Sequence, residues 1–337
     1  MKNSHALVFC LFVVAVRGFP SIPEKNVAEA RLAVEDDDRN LVDLDLNFRD
    51  IESIRETQKD LANKVKFYLH TLKNPKNTQQ LWLNDPKTLS QSNFNPSKPT
   101  RIVTHGWMNS AKSDACRLVR EAYLKHGEYN VIIVDWSRIS KLPYVYASNR
   151  VKIVGQYVGK MIDFLASRGM NTINTLVVGH SLGAHVAGIA ARNAKSTVGY
   201  VVALDPALPL FSSAKPGDRV AKGDAKFVQV IHTNAGALGY SDPIGDVDFY
   251  PNGGRKQAGC VVEWIATSHS RSYRFFAESI NSKTGFVATQ CESYSKFTSG
   301  GCRGNKKEMM GGPKPTTTAT RSFYLDTNGS APYAKGG

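Results

Sequence analysis

Thr175-Leu176-Val177-Val178-Gly179-His180-Ser181-Leu182-Gly183-Ala184-His185-Val186-Ala187-Gly188 joins three local signals in one run. Thr175 to Val178 is apolar or β-branched without alternation, as in a strand buried on both faces. From Gly183 the run is rich in small residues, which suits a helix packed close to its neighbours. Between the two lies Gly-x-Ser-x-Gly, residues 179–183. That pentapeptide is common by chance. A strand before it and a helix after it make it a tight turn that holds Ser181 at the carboxyl edge of a sheet. Glycines flank the serine because side chains there would strike the adjoining strand and helix.

Working outward, Arg101 to Thr104, Val131 to Val134, Val198 to Leu204 and Phe227 to Ile231 are further short apolar runs. They predict more doubly buried strands, hence a mostly parallel sheet. Val65 to Leu69 alternates like a strand, and Arg321 to Leu325 reads as a last one. Helical stretches fall around 113–126, 148–168 and 183–194. Strand, helix, strand at this spacing predicts an α/β fold with right-handed crossovers. The domain so outlined runs over residues 64–337.

A serine hydroxyl needs a base to become a nucleophile, and the base needs an orienting carboxylate. In this fold they follow in the order Ser, Asp, His. Asp205 directly follows the strand ending at Leu204 and would face the same sheet edge as Ser181. Asp242, Asp246 and Asp248 are rivals that read as turn residues in a loop rich in glycine and proline. Of the later histidines, His185 sits one helical turn beyond Ser181 and His232 ends a strand, so both suit packing. His269 lies in Thr267-Ser268-His269-Ser270-Arg271, a polar stretch read as a mobile loop carrying the base. The backbone N–H of Leu182 and that of Trp107, in the turn His105-Gly106-Trp107, are the expected oxyanion donors.

The ends of the chain speak to its address. Residues 1–18 carry Lys2, an apolar run from Ala6 to Val16 and Gly18 at a cut site, the pattern of a secretory signal peptide. Residues 19–63 read as an acidic leader or propeptide. Over residues 24–60 the net charge is −6, and beyond residue 60 it is +18. Fields of that size would draw the leader onto the basic body and weaken its binding to anionic membranes, the alternative being a solvated spacer with no regulatory effect. The basic excess also suits an anionic lipid surface, whereas no nucleic-acid motif accompanies it. With 42% hydrophobic and 21% charged residues, fibrous and disordered classes are excluded. In an oxidising compartment Cys291 and Cys302 are the first pair to bridge. Asn328-Gly329-Ser330 is a glycosylation sequon.

His105-Gly106-Trp107, the run from Gly179 to His185, and Ala203-Leu204-Asp205-Pro206-Ala207 together resemble the pancreatic lipase family. Phe249-Tyr250-Pro251-Asn252-Gly253-Gly254 and Ser268-His269-Ser270-Arg271-Ser272 match it in the same order. The resemblance covers roughly residues 64–330. It implies an α/β-hydrolase fold, a secreted serine esterase acting on glycerolipids at an interface, and the triad Ser181, Asp205 and His269. Departures from the family pattern bear on substrate. The chain ends just after the last strand, where pancreatic lipase itself continues into a β-sandwich that docks colipase, so no colipase partner is expected. The family lid here shrinks to Val261, Val262, Glu263, Trp264, Ile265 and Ala266, too short to cover a cleft. The loop from Asn234 to Ile244 is also brief. Both features resemble the family's phospholipase A1 members, including insect and venom forms. A triacylglycerol lipase with a reduced lid is the alternative, and a non-catalytic yolk-type lipid binder a second. The family's calcium loop corresponds to about residues 216–224, where Asp224 stands but Pro216 and Ala221 replace other ligands. No metal and no cofactor are therefore expected. Cys116 and Cys260 lack their usual family partners.

Overall fold

The computed structural model describes residues 32–49, 57–261 and 264–337. The expected signal peptide, residues 19–31 and 50–56 of the leader and residues 262 and 263 of the lid lie outside these. The described residues form one compact unit.

Eleven of the thirteen described strands make one sheet. Its centre is parallel: β5 (Thr100–Thr104), β6 (Asn130–Asp135), β7 (Leu176–His180), β8 (Tyr200–Leu204), β9 (Phe227–Ile231), β10 (Val247–Pro251) and β13 (Arg321–Leu325). They lie side by side in the order β13-β10-β9-β8-β7-β5-β6. β3 (Lys66–His70) and β4 (Gln79–Leu81) add antiparallel to β6. β11 (Val287–Gln290) and β12 (Lys307–Met309) close the opposite edge, again antiparallel. β1 (Ala33–Glu35) and β2 (Leu41–Asp43) pair with each other, apart from this sheet.

The unbroken apolar runs have their physical cause here. Every residue of β5, β7, β8 and β9 is buried because helices cover both faces of the sheet. Each fully buried Val, Ile or Leu contributes about 1.5–3 kcal/mol relative to an exposed one. Four long helices follow the strands: α1 (Asp114–His126), α2 (Tyr144–Ala166), α3 (Leu182–Asn193) and α4 (Trp264–Ser279). Ser113 caps α1 by accepting from the Cys116 N–H.

Two segments depart from the sequence reading. The polar stretch around His269 belongs to α4, not to a loop. Ile265, Ser268, His269, Ser272, Phe275 and Phe276 are all buried, at helical spacing. Small serines on that face let the helix lie close, and their polarity hides the amphipathic period. Trp264, Ile265 and Ala266 are accordingly the helix's first turn, with Ile265 and Ala266 buried, while Val261 is exposed. Asp248 is likewise no turn residue. It is buried in β10, where its carboxylate meets His232 Nε2 at 2.9 Å and accepts the Ile244 N–H at 3.0 Å.

Candidate active site

The carboxyl ends of β5, β7 and β8, three adjacent strands, bring the expected site together. Ser181 follows β7 with φ 58° and ψ −125°, a backbone conformation costly for a residue with a Cβ. The surroundings hold it there. Its N–H donates to Leu204 O at 3.0 Å, and its carbonyl accepts the Ala184 N–H at 3.0 Å. A Cβ on Gly179 would stand 2.0 Å from Gly183 O, and one on Gly183 would stand 2.4 Å from His105 O. Only glycines allow strand, turn and helix to close this tightly.

Asp205 follows β8 and is fully buried. Its Oδ1 accepts the N–H groups of Thr233 at 2.7 Å and Asn234 at 3.0 Å. Its Oδ2 meets His269 Nδ1 at 2.5 Å. Those three donors leave the carboxylate one orientation. His269 Nε2, the opposite ring nitrogen, is buried without a hydrogen-bond partner among the described residues. Ser181 and His269 line one cavity with a free volume of about 30 Å³.

The turn after β5 comes within contact of the serine. A Cβ on Gly106 would lie 2.8 Å from Ser181 Cβ and 3.4 Å from its Oγ. Trp107, next in the chain, is buried; its ring donates Nε1–H to Leu142 O at 2.8 Å and packs edge-on to Tyr144. Leu182 is buried at the start of α3.

His180 was not singled out by the sequence beyond its place in the pentapeptide. Its ring lies over that of His269 with centroids 4.5 Å apart and meets Tyr273 edge-on. Burial, reinforced by the neighbouring His269, pushes its pKa well below the ordinary histidine value. A position beside the serine was the available signal. The hairpin of β1 and β2 was missed too, since Val34, Glu35 and Asp37 line the same cavity. Nothing local in the sequence indicates where a short acidic hairpin docks.

The other histidines pack as expected. His185 stacks on Phe211 and its Nε2 faces Ala207 O at 2.8 Å; His232 holds Asp248 and Tyr240 O. Burial lowers the His185 pKa to about 3. His180 and His185 thus stay neutral in the folded chain, while an unfolded histidine takes a proton near pH 6.5. Stability is therefore full above about pH 6.5 and falls progressively as the pH drops below it. Melting temperatures near pH 7.5 and pH 5 check this, and equal values would contradict the neutral burial.

Asp224 faces a guanidinium, with Arg192 Nε at 2.5 Å and the Ala221 N–H at 2.7 Å. Cys291 and Cys302 form a disulfide with their Cα atoms 5.7 Å apart, and Cys116 and Cys260 are buried thiols. The half-buried Asn328 donates its amide to Pro332 O at 2.8 Å.

A parallel sheet carrying a strained serine turn, with acid and histidine at the same edge, defines an α/β hydrolase. The lipase family model matches residues 32–333, and the chain belongs to the pancreatic lipase family. It is 34% identical over 303 residues to pancreatic triacylglycerol lipase of Sus scrofa, spanning 80% of this chain and 67% of that protein. To pancreatic lipase-related protein 2 of Mus musculus it is 32% identical over 309 residues, spanning 80% and 63%. The chain thus spans about two thirds of the length of these relatives. Among solved structures, a phospholipase/carboxylesterase from Dyadobacter fermentans is similar at 17% identity and a TM-score of 0.33, covering 42% of this chain and 70% of that one.

Proposed function

We propose that the chain is a secreted serine esterase that hydrolyses carboxylic esters of glycerolipids at a membrane or micelle surface. The observation that carries this reading is the buried 2.5 Å contact between Asp205 and His269, whose ring lines the same cavity as Ser181. Ser181 Oγ attacks the ester carbonyl carbon as His269 Nε2 takes its proton. Asp205 holds the Nδ1–H and stabilises the imidazolium. The N–H groups of Trp107 and Leu182 receive the oxyanion. Collapse of the tetrahedral intermediate expels the alcohol, protonated by His269, and leaves an acyl ester on Ser181. Water, deprotonated by the same histidine, then releases the fatty acid.

The preferred substrate in this reading is the sn-1 ester of a phospholipid. Support comes from the few residues between Cys260 and His269, and from helix α4 beginning at Trp264, which leave little chain to fold over the cleft. An open cavity of about 410 Å³ beside the site is lined by Arg271 and Arg274 together with Glu35, with Arg274 paired to Asp114. The basic excess beyond residue 60 favours an anionic surface. No helix among the described residues is long and apolar enough to cross a membrane. The triacylglycerol reading is favoured by the names of the relatives themselves. Rates on phosphatidylcholine and on triolein at matched interfacial area separate the two. Faster release from phosphatidylcholine is expected, and a higher triolein rate would make the protein a triacylglycerol lipase with a reduced lid.

A further inference from the structure

The acidic N-terminal segment, where it is described, lies on the site itself. β1 and β2 pair from Ala33↔Asp43 to Glu35↔Leu41. Asp36 Oδ1 closes the turn by accepting the N–H groups of Asp38 and Asn40 at 2.9 and 2.8 Å. Among the described residues, neither strand joins the ladder of the large sheet. Yet Ala33 is only 1% exposed and Val34 7%, burial that a two-stranded hairpin cannot give itself.

Side chains tie the hairpin to the body. The Asp37 carboxylate accepts from the Ser110 N–H at 3.0 Å, the Ser110 hydroxyl at 2.7 Å and Lys141 Nζ at 2.8 Å. Asn109 donates to Glu35 O at 3.1 Å, and Arg39 pairs with Asp114 at 3.5 Å. Asn109 and Ser110 stand just beyond His105-Gly106-Trp107, so the ties reach the loop beside Ser181. These contacts are specific. General attraction of an acidic segment to a basic body would not seat Arg39 on Asp114.

The remaining space decides what the contact does. The free volume left over the serine is about 30 Å³. Sites that take small organic ligands offer about 300–1,000 Å³. We propose that the hairpin, residues 32–44, is an intrachain cover on the catalytic serine, latched by Asp37 on Ser110 and Lys141, and that it swings away to admit an ester. Opening breaks the latch, the Asn109 bond to Glu35 O, the Arg39–Asp114 pair and the apolar contacts of Ala33 and Val34, but no hydrogen bond of the large sheet. This rests on the reading of Ser181 as the nucleophile.

The test uses the full chain as wild type, Asp37→Ala and Lys141→Ala. The readouts are the labelling rate of Ser181 by a fluorophosphonate and kcat/KM on p-nitrophenyl butyrate, a soluble ester that needs no interface. Loss of the charge-assisted latch should raise both about tenfold by enlarging the open population. Lys141→Ala removes the latch from the body side, so the proposal stays testable if Asp37→Ala folds poorly. Labelling of all three proteins at equal rates, or slower labelling of the variants, overturns the cover alone. No labelling of Ser181 in any of them overturns the nucleophile assignment and the cover with it.

Discussion

Replacing Ser181 by alanine is expected to lower ester turnover by about a millionfold, the scale of nucleophile removal in serine hydrolases. The fold should survive. Alanine keeps the Cβ, and the backbone at φ 58° is held by the Leu204 carbonyl and the Ala184 N–H rather than by the hydroxyl. Turnover of a soluble ester by purified protein, with the melting temperature as a control for folding, is the measurement. Retention of more than a few per cent of activity at an unchanged melting temperature would remove Ser181 from the mechanism.

Asp205→Asn should cost about ten-thousandfold, and the geometry says why. The one carbonyl oxygen of asparagine is claimed by the N–H groups of Thr233 and Asn234, which now hold Asp205 Oδ1. Its NH₂ then points at His269 Nδ1, turning that nitrogen into an acceptor. The proton of the imidazole moves to Nε2, the atom that must be bare to take the serine's proton. The same measurement checks it: the pH optimum, melting temperature and turnover of Asp205→Asn beside wild type. A loss under about tenfold would show that Asp205 does not set the tautomer.

The centre of this molecule is written in short runs of sequence. β5 to β9 are almost wholly buried on both faces, and that burial selects mostly apolar residues, with Arg101 and Gln229 as buried exceptions, a pattern visible at five residues' range. The serine turn is local in part: the clash that excludes a side chain at Gly179 lies within the turn, while the one at Gly183 is with the His105 carbonyl of the neighbouring loop. Asp205 was legible because a strand end and a sheet edge coincide. The three candidate triad residues could thus be named before any contact between them was known. Helix α4 was harder to read. Its buried face is built from Ser268, Ser272 and His269 as well as Phe275 and Phe276, so polarity masks a period that close packing of small side chains satisfies. β10 was hidden for a similar reason, since Asp248 is a strand acid only because His232 is there to meet it.

Other features had no local signature at all. The 2.5 Å contact of Asp205 with His269 spans 64 residues, and that of Asp37 with Lys141 spans 104. Neither the placement of His180 over His269 nor the seating of Val34 in the catalytic cavity follows from the residues flanking them. Local sequence carries propensity, period and turn chemistry, which depend on neighbours a few bonds away. Which acid meets which base, and which short hairpin covers which cavity, depends on distances that exist only once the sheet has closed and its helices have packed.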